Sequence, residues 1–295
     1  MAEAAVGALP GGTGRSAVLS RIALLPVALW AVVLVAAPNL LLLAYSLFRT
    51  ENGRMVPALT LENYVTIATS DVSRTLLLRT LLTGFGAAVL ATLIAYPMAY
   101  FVVRKLGKRR LLAVMLVIVP LWVSYLVRVY AWKIILGDSG VINATLEMLG
   151  LVDEPLTFLL YSRLAVFLVL TYVSIPFVFV SSYAALERIP APLFEAGSDC
   201  GASPLHVLRT IVWPLSRGGA AIGFALAVLM CMGDYLTPTL VGGLQGTMFG
   251  NLIVSEFGLA NNWPRGAALS IALLVVVGLL LAVIGRLTRT EAVLE

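Results

Sequence analysis

The stretch EAGSDCGASPLHVLRTIVWPL, Glu195 to Leu215, lies between two long apolar runs and breaks their character. It carries two acids, Glu195 and Asp199, with His206, Arg209, two glycines and two prolines. Such a segment reads as two short helices meeting at a corner. Pro192 suits a first helical turn, where its missing N–H costs nothing. Glu195 and Asp199 fall early in that helix, where acids complement the positive end of the dipole. Gly201 supplies the left-handed residue that ends a helix. Ser203 and Pro204 then read as the N-cap and first residue of a second helix. Leu205, Leu208 and Ile211 or Val212 recur at helical spacing on one face. Pro214 ends that pattern before the next apolar run. Helices this short are marginal alone and need a surface to pack on. That surface is either the protein's own bundle or the groove of a partner.

The rest of the chain explains why such a corner is conspicuous. Of 295 residues, 60% are hydrophobic and only 12% charged. A soluble domain carries about 25% charged residues, and one soluble core cannot hide so much apolar surface. A multi-pass membrane protein is therefore expected. A span takes about 20 apolar residues to cross roughly 30 Å of hydrocarbon. Six runs qualify, at about 22–48, 77–103, 111–136, 164–184, 219–236 and 267–287. The first is too long for a signal-peptide core and reads as an uncleaved helix. Residues 1–20 are rich in Gly, Ala and Ser and read as a loose N-terminal segment. Residues 21–290 then form one transmembrane domain, with the corner loop at 187–217 and a tail at 291–295.

Orientation follows from lysine and arginine in the short loops. The loop after the second run holds Arg104, Lys105, Lys108, Arg109 and Arg110 and no acid. The next loop holds Asp138, Glu147, Asp153 and Glu154 against Arg163. The basic loop is placed inside, and with six spans both termini are cytoplasmic. Arg15, Arg21, Arg286 and Arg289 agree with that placement. The corner loop then lies in the cytoplasm. The net charge of +5 is a membrane-orientation signal, and no nucleic-acid partner is implied.

Glu195-Ala196-Gly197, then Gly201 after three residues, then Ile211 and Pro214 after nine more, resemble the EAA motif of ABC-importer permeases. Gly197 stands where the family has a third alanine, and Trp213 where it has leucine. LVRVYAW (126–132), GDYLTPTLVGG (233–243) and NNWPRGAALS (261–270) are similar to segments of spermidine/putrescine-type permeases. The resemblance implies an all-α integral membrane protein with the six-helix type I importer fold, in the bacterial inner membrane. It implies that the corner is the coupling helix docking on an ATPase, through Glu195, Ala196, Gly197, Asp199, Gly201, Ala202, Leu205, Leu208, Ile211 and Pro214. It implies an ABC ATPase homodimer, a second homologous permease and a periplasmic or lipid-anchored solute-binding protein as partners, with lipid around the chain. ATP and Mg would be held by the ATPase, with no cofactor on this chain. The implied solute is a polyamine. Another small solute, such as an amino acid derivative, an opine or a phosphonate, is the alternative.

The residues themselves fit a non-catalytic role. There is no GxxxxGK[ST] loop, so ATP hydrolysis must come from elsewhere. His206 is the only histidine and has no triad or metal partner at a defined spacing. Cys200 and Cys231 form no CxxC pair. An intramembrane enzyme or a secondary transporter is a remote alternative, and the latter leaves the corner unexplained. Asp234 falls over two-thirds of the way along the fifth run, where an acid is expensive and faces a cavity or a partner. Gly233 and Pro238 weaken the helix there. Two readings are open. Asp234 pairs at the outer rim with Arg128 or Lys133, or it meets a cation on the translocation path. Tyr235, Tyr125, Tyr130 and Trp132 could offer aromatic faces to an amine, though Trp132 and Trp263 equally suit an interface belt. Residues 244–258 are apolar but too short to span, and read as a re-entrant or interfacial helix with Glu256 facing outward.

Overall fold

A computed structural model describes Pro26, Leu29, Trp30, residues 32–51 and residues 53–288; the orientation signals at Arg15, Arg21 and Arg289, the loose segment at 1–20 and the tail at 291–295 lie outside them. The chain is helical, as the apolar runs require. α1 (Val32–Ser46) is followed by a two-stranded hairpin, β1 (Arg49–Glu51) antiparallel to β2 (Arg54–Val56), and by α2 (Glu62–Thr69). The hairpin is a small addition that the helical expectation did not include. Arg49 pairs with Glu62, and Asn63 Nδ2 donates to the Ser46 and Phe48 carbonyls (2.9 and 2.8 Å), which ties α2 to the end of α1.

The centre of the fold is three long helices packed on one another: α3 (Asp71–Lys105), α7 (Arg163–Glu187) and α9 (Pro204–Gly233). Ser70 caps α3 by accepting the Ser73 N–H (3.3 Å), and Ser162 caps α7 by accepting that of Ala165 (3.1 Å). Lipid tails give helices no hydrophobic reason to associate, so close backbone approach matters more than bulk. The helices show this. Ala87, Ala88, Ala91, Ala95 and Ala99 of α3 are fully buried. On α9 a methyl at Gly219 would stand 2.3 Å from Ala185 Cβ, and one at Gly223 2.8 Å from Val178 Cα. α11 (Trp263–Thr288) packs beside α1 and α9.

The third apolar run is not one straight span. α4 (Arg110–Ile118) tightens into a 3₁₀ turn at Val119–Trp122 that contains Pro120. Val123 and Ser124 are extended, and α5 (Tyr125–Leu136) starts in a new direction. The two arms, each taken with its neighbouring short helix, are bent by 95°. Among the described residues four helices are long and apolar enough to cross a membrane, five if the bent pair counts as one; α1, described over 15 residues, is shorter. Asn143, in the first turn of α6 (Val141–Met148), ties down the loops on both sides of it, donating to the Gly137 carbonyl (3.1 Å) and accepting from the Leu156 N–H (2.9 Å).

Candidate functional site

The corner loop is built as two helices around a glycine. α8 (Ala191–Asp199) holds Pro192 in its first turn. After a last ordinary helical bond from Cys200 N–H to the Ala196 carbonyl (3.0 Å), it ends in the 6→1 bond of a Schellman cap, with Ala202 N–H reaching back to the Gly197 carbonyl (3.1 Å). Gly201 takes φ +74°, and no atom lies within 4 Å of where its Cβ would be. Glycine is needed there for backbone conformation, not for space. Ser203 then caps α9 by accepting the His206 N–H (3.3 Å).

Three details differ from the sequence expectation. Asp199 is the last residue of α8, so it draws no support from the helix dipole, and it is exposed. Pro214 does not separate the second short helix from the fifth span. Leu208–Val212 widen into a π-helical stretch ahead of it, which accommodates the missing N–H, and the helix runs on from Pro204 to Gly233. The buried face of the first turns is Val207 and Val212, with Leu208 and Ile211 half-buried, while Leu205 is 56% exposed.

At Gly197 the two arms of the corner approach closely. A methyl there would stand 3.0 Å from Val207 Cγ2 and 3.3 Å from Ile211 Cδ1, so the two arms of the corner touch at this point. Phe194 is buried, and the Arg104 guanidinium at the end of α3 lies over its ring at 3.7 Å. Ile189, Phe194, Val207 and Val212 belong to the same apolar cluster as Ala95, Val178, Phe179 and Met232 of the bundle. The corner is therefore continuous with the transmembrane core. Glu195, Ala196 and Asp199 are left exposed.

A second polar feature lies where α9 stops. Asp234 leaves the helical conformation (ψ 129°) directly after Gly233, so it is a terminal residue and not one inside a span. Its Oδ1 accepts the N–H groups of Leu236 (2.8 Å) and Thr237 (3.3 Å), which starts the π-turn Pro238–Gly242. The Tyr125 hydroxyl, on the first residue of α5, donates to Asp234 Oδ2 and lies 2.8 Å from Thr237 Oγ1. The break in the fifth span and the elbow of the third thus meet through one carboxylate. Beside them is a cavity of about 210 Å³ lined by Tyr125, Leu170, Ser174, Cys231, Gly233 and Asp234. Ser174 and Cys231 carried no motif or spacing that singled them out.

No ion pair among the described residues joins Asp234 to Arg128 or Lys133. The Arg128 guanidinium lies 5.5 Å from the Tyr125 ring centre, and its buried Nε has no acceptor. The Lys133 ammonium sits 5.8 Å from the Tyr130 ring and 5.7 Å from that of Tyr161. Tyr235 is exposed and does not line the cavity, although its carbonyl accepts from Asn251 Nδ2 (2.9 Å). Tyr130 is exposed as well, and Trp132 packs edge-on against Tyr172 (5.3 Å). Of the five residues from Tyr125 to Tyr235 weighed for a path, only Tyr125 and Asp234 come together.

Residues 244–258 hold a turn at Gly243–Gly246 and α10 (Phe249–Phe257), as a short non-spanning segment should. Arg79 and Arg163 pin it by donating to the Thr247 (3.1 Å) and Gln245 (3.0 Å) carbonyls. Glu256 does not face outward. It is 7% exposed and paired with Arg265 in the first turn of α11 (3.4 Å). A carboxylate on the inner face of α10 has to find a cation, and α11 supplies it.

A family model described as binding-protein-dependent transport system inner membrane component matches residues 91–288. The spermidine/putrescine transport system permease protein PotB of Escherichia coli (strain K12) is 35% identical over 265 residues, covering 88% of this chain and 94% of PotB. The inner membrane ABC transporter permease protein YdcU of the same organism is 34% identical over 251 residues, 81% of this chain and 79% of YdcU. Among solved structures, a chain of a bacterial ABC transporter involved in the import of alginate superposes with TM-score 0.72 at 17% identity, covering 94% of this chain and 97% of that one. That likeness shows the fold alone. The chain belongs to the family of binding-protein-dependent transport system inner membrane components, the permease subunits of ABC importers.

Proposed function

We propose that this permease carries a polyamine, spermidine or putrescine, into the cytoplasm, and that the corner at 191–214 is where ATP-driven motion enters it. The observation that supports the second part most is the shared core. Phe194, Val207 and Val212 of the corner pack in one cluster with Phe179 and Met232 of the bundle. Packed interiors are stiff, so a displacement of the corner is passed to α3, α7 and α9 and not absorbed locally. Glu195, Ala196, Asp199 and Leu205 are exposed and available to a partner's groove.

In this reading two ATPase subunits hold ATP and Mg and draw the corners together, and a second homologous permease completes the pore. A solute-binding protein delivers to the opposite face. The basic run Arg104–Arg110 and the corner lie in the cytoplasm with both termini. Solute passes by alternating access. The likeness to PotB over nearly the whole of both chains supports a polyamine. The Asp234 cavity supports it too. A hydrogen bond from an ammonium to a carboxylate is stronger than one from a neutral hydroxyl, so an ammonium can exchange for the Tyr125 hydroxyl on Oδ2.

Arg128 favours a second reading. Its guanidinium lies 5.5 Å from the ring of Tyr125, which lines that cavity, and a cation so placed suits a solute carrying both an amine and an acid. Uptake of labelled spermidine, competed by putrescine and by zwitterionic amino acid derivatives, separates the two. Competition by the diamine alone supports the polyamine; competition by the zwitterion alone replaces it.

A further inference from the structure

A second cleft lies between the end of α3 and the corner. It has a volume of about 270 Å³, many times that of a water at about 30 Å³. Tyr100, Arg104 and Lys105 line one wall, and Phe194, Ala202 and Pro204 the other. Arg104 and Lys105 stand in the last turn of α3, and neither pairs with an acid among the described residues. Arg110, six residues beyond Arg104 in the same basic run, is different, since it is paired with Glu187 (3.2 Å).

The geometry of Arg104 is specific. Its guanidinium lies over the Phe194 ring at 3.7 Å. A contact over the ring engages the face of the guanidinium, and the N–H donors point in its plane. A planar fork fixed by an aromatic ring and left without a carboxylate matches a phosphate, which it can bind through two parallel bonds. Lys105 adds a point charge at the next position, and the Tyr100 hydroxyl can donate a third bond. The site stands at the basic end of a 35-residue helix long and apolar enough to cross a membrane, next to a run of further cations that favours an anionic surface.

We infer that this cleft binds a phosphate group, and that the source is the headgroup of an anionic phospholipid. The bound headgroup bridges the end of α3 to Phe194 and Pro204 of the corner, so the corner's seating on the bundle depends on membrane composition. That last consequence rests on the coupling role proposed above. The binding itself does not, and it is measured without an ATPase.

The full chain is purified into detergent with phosphatidylglycerol added. Bound lipid is counted by native mass spectrometry for the parent protein and for Arg104→Gln, Arg104→Lys, Lys105→Gln and Lys108→Gln. A cation near an anionic surface is worth roughly five-fold in binding. Lys105→Gln should weaken retention by about that factor, and Arg104→Gln by more, because the paired bonds go with the charge. Arg104→Lys should fall between, and Lys108→Gln, outside the cleft, should match the parent. Thermal midpoints of all variants are recorded, so that if Arg104→Gln is destabilised, Lys105→Gln and Arg104→Lys decide the outcome. A parallel arm measures binding of inorganic phosphate. Retained lipid that millimolar phosphate does not displace identifies the headgroup as the ligand. Saturable phosphate binding without lipid retention, lost in the same variants, keeps the anion site and overturns the lipid source. Equal retention by the parent and the cleft variants, with no phosphate binding, overturns the inference.

Discussion

Gly201 has open space around it and a positive φ, and the two facts together define what can replace it. A valine's Cβ would meet nothing within 4 Å, yet the residue would have to hold a left-handed conformation that costs roughly 1–2 kcal/mol for an ordinary L-residue. Asparagine tolerates that region far better. Gly201→Val should therefore insert normally and lose transport, while Gly201→Asn retains most of it. Uptake normalised to membrane-inserted protein makes the comparison. Asp234 is separable in the same way, because it does two things. Its Oδ1 caps the turn through Leu236 and Thr237, and its charge faces the cavity. Asp234→Asn keeps an oxygen for the cap and removes the charge, so uptake should slow while the thermal midpoint holds. Asp234→Ala loses the cap as well, at a cost of about 0.5–2 kcal/mol, and its midpoint should drop. Normal uptake by Asp234→Asn would take the carboxylate off the solute's path.

The elements were legible where apolar length and capping chemistry agreed. Ser203 marks a helix start, Gly201 marks an end, and the structure has both. What stayed hidden depended on contacts between distant residues. The elbow at Val123–Ser124 interrupts a run that stays apolar on both sides, so composition alone reads it as one span. Pro214 looks like a stop, but the π-turn before it lets the helix continue. Glu256 reads as outward-facing until α11 brings Arg265 to it. Glu256→Gln should leave that guanidinium, whose Nε already lacks an acceptor, without its carboxylate. Breaking a buried pair costs about 3–5 kcal/mol, and Arg265 is 30% exposed, so the low end of that range is expected. The drop should show as a lower unfolding midpoint. The contact of α7 with α9 is a second point of control. Gly223→Leu would drive a branched side chain into Val178, and overpacking of this kind costs about 1–3 kcal/mol or more. A midpoint equal to that of the parent would mean the two helices are not held at that distance.

At the scale of the molecule, two regions at opposite ends of α9 belong to one continuous helix. Ser203 and Pro204 open it at the corner, and Gly233 and Asp234 close it at the cavity. Under the proposed coupling role, a movement imposed at the corner is carried along α9, which packs with α3 and α7 and ends beside the Tyr125–Asp234 contact. The candidate path was only partly visible from sequence, because Tyr125 and Asp234 are 109 residues apart and Ser174 and Cys231 carry no motif. The most direct test is ATP-driven uptake of labelled spermidine into proteoliposomes. These would contain this chain with its ATPase, its companion permease and its binding protein, set beside the same assembly carrying Gly201→Val. Uptake that requires ATP, and falls at least about ten-fold in the variant while the complex remains assembled, is the predicted result; ten-fold corresponds to about 1.4 kcal/mol of lost coupling. Spermidine uptake at an equal rate in both assemblies, or without ATP, would contradict it.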